Sequence, residues 1–369
     1  MKKILAFALT AALMTVACSK VQVNPVAEHE IGFQTASYLT KVGIDGTVFP
    51  TSETFGAYAW AAGTVGTYFM DNEEVSYNAS TGQWKPSTTY YWPKNTTVDF
   101  LCYYPYGMSG IAISENQITY TGIDVAAGQT DIMYADKAVG YTDNVDEVDD
   151  GVNGYNGVPT VFHHALAKVR VIVALAYNHK QEADGTVTDW EVNVNSLSLS
   201  GFYSTGDCTL SLASSPATGI VGWEKPAGNV WTPSGATADK AGTFSGAITP
   251  GTEYESVGEF FVLPQTLAAG QQKVSIGLTV KTKRNGADFL NETFTKTADL
   301  YVALLPAWEI NNIITYKIVV TPTASDGNGG NGGGGNVDPN DPDLSDAIIT
   351  FDPAVNGWDN VGVETTINI

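Results

Sequence analysis

Lys168-Val169-Arg170-Val171-Ile172-Val173-Ala174-Leu175-Ala176 decides the fold class of this chain. Its first four residues alternate polar and apolar, the period of an extended strand with one wet face. From Ile172 to Ala176 the run is continuously apolar, as in a strand covered on both sides. The stretch 161–177 is therefore expected to be a buried strand, and its neighbours take their reading from it. Downstream, strands are expected at 190–199, 208–212, 219–223, 243–248, 259–263, 273–281, 289–296 and 310–320. Upstream, they are expected at 54–60, 67–70, 88–92, 97–104 and 111–120. Asp45-Gly46, Asp71-Asn72, Ser80-Thr81-Gly82 and Pro105-Tyr106-Gly107 read as the turns between them. Short strands at this spacing specify an all-β chain of antiparallel β-sandwiches.

Composition narrows the function classes. The 369 residues carry 18 Lys and Arg against 39 Asp and Glu, a formal net charge of −21. Binding phosphate needs clustered cations, so this balance disfavours nucleic acid and anionic membrane surfaces as partners. An apolar fraction of 43% is ample for packed cores, and the length allows two domains and a tail.

The first residues read as an address. Lys2 and Lys3 precede an apolar run, Ile4 to Met14, that is too short to span a bilayer. Thr15-Val16-Ala17-Cys18 follows, small residues and then a cysteine. This is the pattern of a bacterial lipoprotein signal, cleaved before Cys18 and acylated on its sulfur and new amine. Cys102 and Cys208 lie far apart, in different expected domains, and show no metal-ligand spacing. They are expected to be small buried residues.

The far end is the second informative stretch. A Gly-, Asn- and Asp-rich segment, 326–346, carries no apolar stripe. Strand chemistry then returns with Ile348-Ile349-Thr350-Phe351 and runs through Trp358 to Ile369. A lone strand on a leash leaves its backbone groups unpaired, so it must add to a sheet edge, its own or a neighbour's. A flexible leash of about 20 residues has an r.m.s. span of roughly 25 Å and a fully extended reach of about 70 Å. Both destinations are within range. Near the start, Ile31-Gly32-Phe33-Gln34-Thr35-Ala36 shares its Ile-x-Phe and following Ala with Ile349-Thr350-Phe351-Asp352-Pro353-Ala354. Ile and Phe two apart face one side of a strand and suit the same pair of pockets. Pro353 confines the second segment to an edge or a bulge.

The expected organisation is a signal peptide at 1–17, an N-terminal β-sandwich at 18–157, a C-terminal β-sandwich at 158–325, the linker 326–346 and an appended strand at 347–369.

Catalytic signatures are sparse. There is no Gly-x-Ser-x-Gly, His-Glu-x-x-His or Walker sequence. Of the 4 histidines, His163 and His164 are adjacent on an expected strand and point to opposite faces, so they suit structural hydrogen bonds better than a shared metal. The acidic run Asp143, Asp146, Glu147, Asp149 and Asp150 lacks the spacing of a calcium loop. No enzyme activity, cofactor or metal is expected. An alternative binding function, a glycan platform of exposed aromatics, would draw on Trp60, Trp84, Trp92, Trp190, Trp223, Trp231 and Trp308.

Several stretches together carry a resemblance over nearly the whole chain. They are Tyr90-Tyr91-Trp92-Pro93, then Val98-Asp99-Phe100-Leu101-Cys102-Tyr103-Tyr104-Pro105, Asp131-Ile132-Met133-Tyr134-Ala135, and Phe162-His163-His164-Ala165-Leu166-Ala167-Lys168-Val169. With Cys18 and the final Ile349 to Trp358 segment, they resemble the fimbrillins of Bacteroides-type bacteria, the subunits and anchors of type V pili. The resemblance implies two transthyretin-like β-sandwich domains and a lipid-anchored outer-membrane precursor. It implies a trypsin-like protease that removes the N-terminal strand, here 31–40 with Ile31 and Phe33. It also implies other fimbrillin subunits as partners, one of which donates the strand holding Ile349, Phe351 and Trp358. Such a protease usually cuts after Arg. No Arg precedes Arg170, so either the protease accepts Lys, with Lys41 just after the strand a better candidate than Lys20, or the chain is uncleaved and serves as an anchor or accessory subunit.

Overall fold

A computed structural model of the chain describes residues 30–34, 49–63, 67–93, 96–128, 130–141, 157–212, 230–242, 246–250, 255–301, 305–322 and 348–357. Every regular element among these residues is a β-strand, as the alternation and turn spacing predict. The opening stretch forms the strand Ala167–Leu175, antiparallel to Glu255–Val262 on one side and parallel to Asn312–Thr321 on the other. Val169, Val171, Val173 and Leu175 are buried. Ile172 and Ala174 are only half-buried and Ala176 is exposed, so the apolar run is covered on one face and not on both. Its polar half is anchored too. The Lys168 ammonium lies 2.7 Å from Glu259, whose other oxygen takes the Arg170 Nε–H at 2.6 Å.

Three larger sheets hold the chain together. A nine-stranded sheet runs in the order Val158–Pro159, Phe33–Gln34, Gln83–Pro86, Met70–Asn78, Phe55–Ala61, Val98–Tyr104, Met133–Ala135 and Phe162–His164, with Ala138–Tyr141 joining Val98–Tyr104. An eight-stranded sheet has the path Ala287–Asp299, Lys273–Arg284, Val187–Ser211, Gln117–Asp124 and Ile111–Ser114. A four-stranded sheet runs Glu255–Val262, Ala167–Leu175, Asn312–Thr321 and Ile348–Gly357.

The long strand Val187–Ser211 is where the structure differs most from the sequence reading. Two short strands with a Gly-bearing break between them were expected; one strand runs through. Gly201 has φ of 73° and sits so close to the neighbouring backbone that a Cβ there would lie 2.0 Å from the Gln271 carbonyl oxygen. The register shifts across this region. The glycine therefore marks a bulge inside a strand and not a turn between two.

Burial falls into two clusters that share strands. Phe55, Ala57, Ala59, Val98, Phe100 and Cys102 face one cluster. Trp60, Leu101 and Tyr103, from the same two strands, face the other, which also holds Val169, Val192, Leu278 and Ile318. Strands cross between the halves of the sequence as well. The hairpin Ile111–Ser114 and Gln117–Asp124 pairs with the C-terminal part of Val187–Ser211. Phe162–His164 pairs with Met133–Ala135.

Candidate functional site

The N-terminal segment lies inside a sheet. The Ile31 N–H donates to the Tyr90 carbonyl at 2.8 Å, and the Val158 N–H donates to the Gly32 carbonyl at 2.9 Å. Phe33 then pairs antiparallel with Trp84 and parallel with Val158. Glu30 closes the entrance with a 2.6 Å ion pair to Lys85. Ile31 and Phe33 are fully buried. The Phe33 ring meets Phe55 and Phe100 edge-on at 5.8 and 5.7 Å, in a cluster that continues through Phe49, Trp84 and Phe162.

Gly157 makes this approach possible. Its φ is 135°, and a Cβ there would stand 2.7 Å from the Gly32 carbonyl oxygen. In the sequence reading position 157 is only a domain bound; the φ of Gly157 and its contact with the N-terminal segment appear only in three dimensions.

The C-terminal strand lies on its own chain. Ile348–Gly357 pairs antiparallel with Asn312–Thr321 over its whole length, from Thr321↔Ile348 to Asn312↔Gly357. It forms the outer edge of the four-stranded sheet. Pro353, opposite Tyr316, fits an edge because it has no N–H to donate there. Ile349 and Phe351 are opposite Val320 and Ile318. The two Ile-x-Phe segments thus sit on different sheets of one molecule. A side-chain bond links the sheets near the start of the receiving strand. Asn311, at φ 62°, accepts the His164 N–H through Oδ1 at 3.1 Å.

Cys18, Lys41, Trp358 and the acidic run 143–150 lie outside the described residues. The histidines take up separate carboxylates, as the opposite-face reading expects. His163 Nε2 is 3.0 Å from Asp136, and His164 Nδ1 is 2.8 Å from Asp131. The tryptophans named as a glycan platform are core residues. Trp60, Trp84, Trp92, Trp190, Trp231 and Trp308 are all buried, and Trp223 lies outside the described residues. The Trp231 indole N–H donates to the Ala165 carbonyl at 2.6 Å and that of Trp308 to the Tyr316 hydroxyl at 3.0 Å. Such large apolar surfaces are buried in sandwich cores before they are offered to a ligand, and this corrects the exposed-tryptophan reading.

A family model described as Fimbrillin-like matches residues 40–339. The chain belongs to the fimbrillin-like family. Among solved structures, this fimbrillin-like chain is similar to a fimbrial protein from Bacteroides vulgatus, with 16% identity and a TM-score of 0.55 over 89% of this chain and 99% of that one. It is also similar to a candidate cell adhesion protein from Bacteroides uniformis, with 18% identity and a TM-score of 0.49 over 89% of this chain and 98% of that one. A third similarity is to the fimbrial anchor protein Mfa2 from Porphyromonas gingivalis, at 12% identity and a TM-score of 0.30, covering 89% of this chain and 96% of that one. No curated protein matches. At these identities the first of the three supports the fold.

Proposed function

We propose that this fimbrillin-like chain is a non-enzymatic structural subunit of a cell-surface fimbria, assembled by strand exchange. It is a lipoprotein precursor anchored in the outer membrane through Cys18. A trypsin-like protease cuts after Lys41 and frees the segment holding Ile31 and Phe33. The vacated slot, between Gln83–Pro86 and Val158–Pro159, then receives the strand of another subunit that carries Ile349, Phe351 and Trp358. The observation that supports this reading is the way the N-terminal segment is held. Phe33 is paired on both sides and closes an aromatic pocket with Phe55 and Phe100. Loss of the segment leaves unpaired backbone groups and an aromatic-sized cavity, both of which an incoming strand satisfies.

The test is limited trypsin treatment of the purified chain, followed by intact mass and unboiled gel electrophoresis. A cut after Lys41, followed by SDS-resistant oligomers that a chain lacking 348–369 does not form, is the expected result. A chain cut at Lys41 that stays monomeric overturns the reading.

A further inference from the structure

The strand Ala287–Asp299 occupies the end of the eight-stranded sheet and pairs only with Lys273–Arg284 among the described residues. It is 13 residues long and contains no proline. Long open edges are ordinarily blunted by proline, shortness, bulges, lysines or inward-pointing charges; here the inward-facing charges, Glu292 and Lys296, are of opposite sign and so can pair with a second copy. This one carries a single lysine, Lys296, and its only irregularity is a register shift at its start, between Thr282 and Lys283 of the partner strand.

Its two faces have different chemistry. Residues with odd numbers face solvent, where Thr293 and Thr297 hydrogen-bond Thr279 and Ser275, each at 2.8 Å. Residues with even numbers are half-buried: Leu290, Glu292, Phe294, Lys296 and Ala298. Leu290 and Phe294 pack at the margin of the larger core, with part of each left open. Glu292 and Lys296 lie opposite Val280 and Ile276 within the sheet. Neither makes an ion pair among the described residues, and Lys296 reaches only the Phe294 ring, 5.8 Å away.

We propose that this edge is a docking surface for a second copy of the same chain, joined antiparallel about a two-fold axis through Phe294. That register sets Glu292 opposite Lys296 of the second copy, twice over. It sets Phe294 against its own counterpart and Leu290 against Ala298. On the outer face it sets Thr293 opposite Thr295 and Asn291 opposite Thr297, which continues the hydroxyl ladder. Opposite charges, aromatic pairs and threonine pairs are the cross-strand combinations that stabilise a sheet. The register is narrowly defined. Centring the pair on Thr293 sets Glu292 against Phe294 and Lys296 against Leu290. Centring it on Thr295 sets Lys296 against Phe294 and Glu292 against Ala298. Only the axis through Phe294 gives both charges a partner and both apolar residues an apolar neighbour. Such an isologous contact closes on itself and yields a dimer. It uses neither the N-terminal slot nor the C-terminal strand, so it is a lateral contact, independent of end-to-end strand exchange.

The test is sedimentation equilibrium of the full chain, untreated with protease, over a concentration series. The native chain is expected to show a reversible monomer–dimer equilibrium. Glu292→Lys or Lys296→Glu alone turns two attractive pairs into two repulsive ones and raises the dimer Kd by about tenfold. The double variant E292K/K296E restores opposite pairs and returns the Kd to the native value. Register is read separately: a Thr293→Cys chain mixed with a Thr295→Cys chain forms the disulfide-linked heterodimer, and neither forms a disulfide at that position alone. A chain lacking 348–369 is expected to dimerise as well as the native one. A native chain that remains monomeric, single variants that match it, a double variant no better than the singles, or dimerisation that disappears with 348–369 would each overturn the proposal.

Discussion

Phe33 anchors the N-terminal segment through its ring, so removing that ring tests how much the segment contributes. Phe33→Ala is expected to cost ~3–5 kcal/mol, the range for deleting a fully buried aromatic, read as a lower urea midpoint at unchanged m-value. Gly157→Ala acts on the same segment from the neighbouring strand. Its Cβ would meet the Gly32 carbonyl oxygen at 2.7 Å with φ at 135°. A loss of about 1–3 kcal/mol, with faster hydrogen exchange at Ile31 and Val158, is the expected outcome. Glu259 sets part of the acid response. Burial pushes its carboxyl up, but the Lys168 and Arg170 cations outweigh this and hold it below the usual glutamate range. Its unfolded form therefore binds a proton first as pH falls. The stabilisation is complete above the unfolded pKa and is lost as pH drops through the folded one. Glu259→Gln should lower the melting temperature most at neutral pH and least in acid, where the native carboxyl is already protonated, so the acid limb of the profile flattens. Burial also pushes the Cys102 and Cys208 thiols well up. Peptide mapping after native maleimide treatment should find both unlabelled, with labelling only in denaturant.

At the scale of elements, the receiving strand Asn312–Thr321 owes the protection of one edge to Ile348–Gly357. Deleting 348–369 should speed exchange of those amides of 312–321 that pair with the tail, and leave Ala167–Leu175 protected, since it keeps Glu255–Val262 and Asn312–Thr321 on its two sides. Protection unchanged along 312–321 would mean that the tail is not seated there in solution. Elements with apolar alternation were the readable ones. Phe55–Ala61, Val98–Tyr104, Lys273–Arg284 and Asn312–Thr321 fall close to the expected bounds. Trp231–Ala241, rich in Thr, Ala and Ser, was missed because it borders the long strand with mostly exposed residues and has no apolar face to announce it. Met70–Asn78 was hidden by Asp71-Asn72, which looked like a turn. Asn72 does take a left-handed φ of 54°, but within the strand. The stretch 88–92 looked like a strand because it is aromatic, yet only Tyr91 forms a bridge, to Glu30.

For the whole molecule, the shared strands predict cooperative unfolding. Phe55–Ala61 and Val98–Tyr104 present side chains to both clusters, so neither core can lose its packing while these strands stay fully supported. Aromatic fluorescence and calorimetry should report one coincident transition, and two resolved transitions would contradict that coupling. The sequence made both ends legible as strand-forming segments, because Ile-x-Phe alternation is local. It did not reveal which sheet each end joins, because pairing partners are set by contacts distant in sequence. Nor did it reveal Gly157 as a contact of the N-terminal segment, since a glycine needed for close approach looks in sequence like any loop glycine.

Because Ile348–Gly357 is tied by its own chain to the edge it covers, that edge competes with every other acceptor as though at roughly millimolar local concentration, the usual scale for a short tether. Free subunits in dilute solution are far below that level, so crowding them together does little to pull the strand away. Under the proposed strand exchange, a foreign acceptor must win on contact quality, which the aromatic rings around the vacated Phe33 slot would have to supply. Growth of a fibre would then follow the number of vacant slots rather than the supply of subunits. Dilution favours the tethered edge, so a finished fibre would resist it only as far as the slot contacts outweigh those of that edge.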